Sequence, residues 1–181
     1  MSVMTATTSV PAGTWSVDPG RSRVGFQVKQ IGLGAVRGTF EAFEGTLEVG
    51  DDLAGASAYG SVAVASLDTR QKRRDAHLRS PAFLDAERFP RLTFASRSIR
   101  PLDTGRFEIA GDLTLHGVTR PLTLTAELQE AEGPDGSPRI ALSVAGELDR
   151  GDFGVTPGRV LDALVSDRVE LQLDVAVVKQ A

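Results

Sequence analysis

The chain has 181 residues, enough for one domain with a sizeable core or an enclosed ligand. Its 24 Asp+Glu outnumber its 20 Lys+Arg, and the net charge of −4 speaks against a nucleic-acid partner, which would call for a basic face. The absence of cysteine rules out a disulfide, a thiolate metal site and a Cys nucleophile, and 2 histidines are too few for a His-rich metal centre.

In chain order, MSVMTATTSVPAG has neither the basic start nor the apolar run of a secretory signal. Residues 1–12 therefore read as a flexible tail and residues 13–181 as one domain, with a cytoplasmic location as the expectation. No window approaches the roughly 20 apolar residues of a membrane helix, so no integral membrane segment is expected. Strand patterns then begin. Ser22–Lys29 alternates with Val24, Phe26 and Val28 on one face. Val36–Val49 starts in one phase (Val36, Gly38, Phe40) and slips to another (Phe43, Gly45, Leu47, Val49), which predicts a β-bulge at Glu41-Ala42. Ala58–Ser66 puts Gly60, Val62 and Val64 in phase.

The segment from Leu67 to Phe94 breaks the alternation and is the one stretch that reads as helix. Asp68 and Thr69 are residue types that cap helix N-termini, and the polar run Arg70–Arg79 contains no Gly or Pro. Ser80-Pro81 reads as a second start, with Ser80 as cap and Pro81 at the first helical position, and Pro90 ends the segment. Leu78, Phe83, Leu84 and Phe89 are too few for a core helix and suit a short helical insertion against the mouth of a sheet.

Strands resume at Leu92–Ile99, Phe107–Leu115, Leu122–Leu128, Ile140–Leu148 and Val169–Val177, with turns at His116-Gly117 and in the cluster Gly133–Pro138. About eight strands, most with one apolar and one polar face, predict an all-β fold. The lengths and the bulge favour a single antiparallel eight-stranded barrel. Gly38, Gly60, Gly111 and Gly146 fall in phase with the apolar face of their strands. They are either barrel corners or places that leave room for a ligand, since a barrel of this size can hold one small molecule.

Five separated stretches carry a resemblance: TWSVDPGRSRVGFQV, VRGTFEAFEG, LDT…RDAHLRSPAFLDAERFP, GDLTLHGVTRPLTL and RGDFG. In that order they resemble the YceI-like family of polyisoprenoid-binding, lipocalin-like proteins, over roughly Gly13 to Lys179. Two positions depart from it: Gln30 stands where the family pattern resembles histidine, and the residues after Asp152-Phe153-Gly154 lack an aromatic. The resemblance implies a lipocalin-like barrel around a long isoprenoid chain. It places Arg150–Gly154 near the barrel end with Phe153 inward. Asp18, Arg37 and Asp68 also match, and turn and cap roles account for them.

Catalytic constellations are not evident. His77 and His116 read as surface or turn residues, and Ser80 has a sufficient role as a cap without any nucleophile elbow. Gly-rich phosphate loops are absent. Lys72-Arg73-Arg74, the one basic run, is either a solvated helix face or, with Arg79, a partner for an anionic headgroup at the barrel mouth. Arg150–Gly154 either serves the barrel end as the resemblance implies or is a structural corner in which Arg150 and Asp152 pair locally.

The function expected is non-catalytic binding of a long-chain isoprenoid or related amphiphilic lipid, for transport, storage or sequestration. The alternatives are a structural or stress-response interaction protein with a filled barrel, and an enzyme acting on an isoprenoid lipid. Neither a cofactor nor a metal is expected, and a homodimer is compatible with the sequence. The expected ligand-binding residues are Phe26, Val28, Phe40, Phe43, Val62, Val64, Phe83, Leu84, Phe94, Leu113, Leu115, Leu124, Leu142, Val144, Phe153, Leu171 and Leu173.

Overall fold

The computed structural model describes residues 10–30, 34–51, 55–103, 105–132, 138–155 and 165–180. These form eleven strands: β1 (Gly13–Val17), β2 (Arg23–Gln30), β3 (Gly34–Phe40), β4 (Phe43–Val49), β5 (Ser57–Ala63), β6 (Leu67–Asp68), β7 (Arg91–Asp103), β8 (Arg106–Leu115), β9 (Val118–Glu132), β10 (Pro138–Asp149) and β11 (Val165–Lys179). Every pairing is antiparallel, and the order β1-β4-β5-β7-β8-β9-β10-β11 returns to β1, so the sheet closes into an eight-stranded barrel.

Three of the eight staves are broken in two. β1 and β2 run in succession along β11: Val17 lies opposite Val177 and, after a 3-10 turn at Pro19–Arg21, Arg23 lies opposite Asp174. Asp18 begins that turn, its carboxylate accepting the Gly20 N–H at 3.1 Å. The expected slip at Glu41-Ala42 is a corner between β3 and β4. There residues 41–42 face residues 63–66 of the neighbouring stave, and the Ala63 N–H donates to the Ala42 carbonyl at 2.9 Å. β1 itself escaped the periodicity reading, because five residues ending at a turn offer only Trp15 and Val17 as an alternating face.

The two ends of the barrel differ. One is plugged by Trp15, Val49, Ile140 and Val177, with Val10 packed against them. Trp15 is fully buried and its indole N–H donates to the Pro11 carbonyl at 3.0 Å. Thus the last residues of the expected tail are tied to the barrel, while residues 1–9 lie outside the described residues. The turn cluster expected at Gly133–Pro138 also lies outside them, except for Pro138. At the other end β6 pairs with β3 and, among the described residues, has no strand on its far side, and the wall there is completed by helix α1 (Lys72–Arg79) and the turns at 81–88.

Helix α1 is held by polar contacts rather than by an apolar stripe. Its cap residue is Gln71, without a side-chain cap bond, and its buried residue is Asp75. The Asp75 carboxylate reaches back to the Thr69 N–H at 2.9 Å and to the Thr69 hydroxyl at 2.5 Å. This corrects the expected caps. Thr69 is buried beneath the helix, and Asp68 closes a tight turn by accepting the Arg70 N–H at 2.8 Å. Ser80 is the C-cap of α1, its hydroxyl donating to the His77 carbonyl at 2.6 Å, and the residues after it form turns, not a second helix. Proline at 81 excludes an N–H from that turn but does not by itself nucleate a helix.

Candidate functional site: an apolar cavity at the open end

The inward faces of β2, β3, β7, β8, β10 and β11 meet α1 around a cavity of about 560 Å³. Strand alternation supplies most of its wall: Phe26, Val28 and Gln30 from β2, Val36 and Phe40 from β3, Leu92 from β7, Leu115 from β8, Leu148 from β10, and Val169 and Leu171 from β11. Leu67 of β6, Val155 and, from the insertion, Leu78, Phe83 and Leu84 complete the apolar surface. The rings of Phe26 and Phe40 lie 5.4 Å apart in a tilted pair. Such a volume falls within the range of small-molecule sites, and its walls favour hydrocarbon.

Of the expected ligand-binding residues some line the cavity and the rest do not. Phe26, Val28, Phe40, Phe83, Leu84, Leu115 and Leu171 line the cavity. Phe94, Leu113, Leu124, Leu142, Val144, Phe153 and Leu173 belong to the main core cluster without lining the cavity. Val62 and Val64 are buried in β5 and the turn that follows, and Phe43 lies opposite Val62 in β4. The phase of the alternation places the strand residues among these inside the barrel, whereas Phe83 and Leu84 come from turns and Val64 and Phe153 from 3-10 segments. Their height along the strands separates lining from packing.

Three of the four in-phase glycines also belong to the packed part. A Cβ at Gly111 would come within 2.6 Å of the Phe94 ring, one at Gly146 within 2.5 Å of Leu124, and one at Gly38 within 2.4 Å of the Phe26 ring. The space these glycines leave is taken by neighbouring side chains. At Gly60 the nearest atom is a backbone oxygen 3.9 Å away.

The polar part of the lining consists of Gln30, Gln71, Arg73, Arg74, His77 and Arg150. Arg73, Arg74 and His77 lie on one side of α1, as residues three and four apart do. Arg74 is fixed to Thr69, Nε donating to the hydroxyl and Nη2 to the carbonyl, each at 2.8 Å. Arg150 is buried, with 3 % of its surface exposed. Its guanidinium donates to the carbonyls of Ser166 at 3.2 Å and Val155 at 3.0 Å, and pairs with Asp167 at 3.0 Å. This corrects the expected local pair with Asp152, which is exposed. Asp149 closes the turn instead, accepting the Gly151 N–H at 2.8 Å. Of the basic run, Lys72 is exposed away from the cavity, and Arg79 turns to the Leu67 carbonyl at 3.1 Å.

His77, though exposed, faces the cavity mouth. His116 is a turn residue: it and Gly117 both have positive φ (56° and 73°), as a two-residue type I′ hairpin requires, and its ring meets Phe89 edge-on at 4.9 Å. Among the described residues no three His, Asp or Glu side chains come together in a way that could hold a metal ion. No helix among them is long and apolar enough to cross a membrane.

Comparison with known proteins decides the relationship. Residues 15–177 match the YceI-like domain. The chain belongs to the YceI-like family. Protein YceI of Salmonella arizonae is 32% identical over 183 residues, covering 99% of this chain and 94% of that protein. Among solved structures, this YceI-like barrel resembles Burkholderia cenocepacia BcnA with a TM-score of 0.80 at 24% identity, covering 88% of this chain and 98% of that one. It resembles the Campylobacter jejuni YCEI protein at 0.72 and 27% identity, with 81% and 86% covered. A polyisoprenoid binding domain from Saccharophagus degradans superimposes at 0.73 and 17% identity, with 92% and 98% covered. The family's barrel thus extends along essentially the whole chain. Gln30 closes β2 and lines the cavity.

Proposed function

We propose that this YceI-like barrel binds a single long-chain amphiphile, an isoprenoid or related lipid, with its tail in the cavity, and that it carries, stores or sequesters that lipid without altering it. The observation that carries this reading is the hydrocarbon-lined cavity between α1 and the inward faces of the strands. Burying each methylene there contributes roughly 0.8 kcal/mol, so a tail can be held tightly with few polar contacts. The polyisoprenoid binding named for the Saccharophagus degradans domain, which shares the fold, points to the same class of guest.

A binding role without catalysis is supported by the makeup of the wall. Among the described residues no Ser, Thr, Asp, Glu, Lys or Tyr lines the cavity, which leaves His77 without a partner for nucleophilic or acid–base work there. The packed core below the cavity and the Trp15 plug beyond it limit how far a tail can descend.

Organic extraction of the purified protein followed by mass spectrometry tests the reading, together with titration of stripped protein with a long-chain isoprenoid. A co-purified lipid, or saturable binding at one site per chain that Val36→Trp weakens in folded protein, is the expected result. No extracted lipid and no saturable binding of any isoprenoid or fatty chain would refute it. An extracted lipid that the protein converts on incubation would replace binding with catalysis.

A further inference from the structure

Strand register orders the inward side chains by height. Val36, Val28, Val169 and Leu148 stand side by side on β3, β2, β11 and β10, and all four line the cavity. Two residues along each strand, about 7 Å nearer the Trp15 plug, the next row is Gly38, Phe26, Leu171 and Gly146. Of these, Phe26 and Leu171 line the cavity. The row after that is Phe40, Val24, Leu173, Val144 and Ala126, and only Phe40 still touches it. On this side of the barrel the cavity therefore ends at the level of Phe26 and Leu171.

That level is closed by packing. The Phe26 ring takes the space a side chain at Gly38 would fill, and Leu124 of β9 does the same at Gly146. Beyond it, Leu173, Val144 and Ala126 belong to the main core cluster, and Leu142 packs against both that cluster and the Trp15 plug. An eight-stranded bore is only wide enough for side chains to fill or for one small guest. Where the side chains interdigitate at interior density, no passage for a hydrocarbon chain is left. Volume sets the same limit. A methylene-sized group takes roughly the 30 Å³ of a water molecule in the liquid. The cavity of about 560 Å³ therefore holds about twenty carbons, the hydrocarbon of four isoprene units. A longer tail must leave its surplus outside the mouth.

We infer that this barrel selects its guest by tail length, taking an apolar chain of about twenty carbons. Phe26 and Leu171 form the floor on which the end of the tail rests, and Leu173 in the row beneath blocks further descent. This deepens the lipid-binding reading and rests on it.

Competition among tails of different length tests this. Stripped full-length protein is incubated with phosphatidylcholine vesicles carrying an equimolar series of prenyl alcohols, from farnesol with three isoprene units to solanesol with nine. The protein is then separated from the vesicles and its retained alcohols are measured by mass spectrometry. Every unit left outside the cavity prefers the vesicle, so retention should peak near geranylgeraniol, with solanesol at about a tenth of that level or less. Leu173→Ala, which opens the row beneath the floor, should move the peak up by about one unit, and Val169→Phe, which fills the row above it, should move it down. Thermal unfolding shows that each variant is folded; should Leu173→Ala not fold, the parent profile and Val169→Phe decide. Retention that is flat, or that rises through to solanesol, would overturn the inference and leave lipid binding standing. A peak that stays in place in the folded variants would overturn the floor assigned to Phe26 and Leu171. Retention of no alcohol at all would remove the lipid-binding reading and the inference with it.

Discussion

Phe26 and Gly38 face each other across β2 and β3, and the Phe26 ring occupies the place where a side chain at position 38 would begin, with a Cβ there only 2.4 Å from its Cζ. Phe26 also lines the cavity, which gives the ring space into which to yield. Gly38→Ala should push it into the cavity. Stability should fall by about 1–3 kcal/mol, as overpacking does, and lipid affinity per folded molecule should fall with it. Thermal unfolding of stripped protein beside a lipid titration reads both, and unchanged affinity would mean that the ring moves elsewhere.

Gly111 and Gly60 make an opposed pair. At Gly111 an added Cβ meets the Ala95 carbonyl at 2.4 Å, a backbone atom held in the β7–β8 ladder that cannot swing aside. Gly111→Ala should cost about 1–3 kcal/mol or more. At Gly60 the nearest atom is 3.9 Å away, so Gly60→Ala should stabilise by about 0.4–1 kcal/mol through a stiffer unfolded chain. Denaturant midpoints of the two variants should move in opposite directions, and a shift of the same sign in both would contradict the packing described.

Asp75 is the hinge pin of α1. Asp75→Ala would leave the Thr69 N–H and hydroxyl without their acceptor and loosen the anchor of Arg74. Leaving buried donors unpaired costs about 1–3 kcal/mol. Hydrogen exchange should rise at the amides of residues 72–79 while those of β8 and β9 keep their protection. Uniform loss of protection would show that the helix and the barrel melt as one unit.

Arg150 and Asp167 form an ion pair of unequal partners, with side chains 4% and 69% exposed. Asp167→Asn should change stability by no more than about 1 kcal/mol, because the pair is half in water and Arg150 keeps its two carbonyl acceptors. Arg150→Ala should cost several-fold more, since it empties a buried site and strands the Val155 and Ser166 carbonyls. Chemical denaturation of both variants checks the ratio, and equal losses would place the energy in the ion pair.

Much of the barrel was legible because period-two alternation survives along β8 to β11, and even the corner at Glu41-Ala42 showed as a change of phase. What alternation could not supply is height. Phe26 and Phe94 share an inward phase, yet one borders the cavity and the other fills the space beside Gly111. The rim was only partly legible. The run Lys72-Arg73-Arg74 was visible, but which of the three would face inward depends on the start of α1, and that start was misplaced because Thr69 bonds to Asp75 instead of capping. Arg150 stood out in RGDFG, but its partner Asp167 lies further along the chain in β11, where nearness in sequence pointed to Asp152.

The sheet has a seam. Beyond Ala63↔Arg91 no strand among the described residues pairs with the far edge of β6, and the wall there is bridged by the Val64 N–H to the Pro90 carbonyl at 2.9 Å and by Arg79 to the Leu67 carbonyl. If the proposed guest passes here, displacing α1 would open the wall with the closed ring of strand ladders intact. Release then needs only a local opening, whereas unfolding needs the whole ring to come apart. Residence time and thermal endurance become separate properties of this molecule, so that changes along α1 can set how long a guest stays without altering how hard the barrel is to melt.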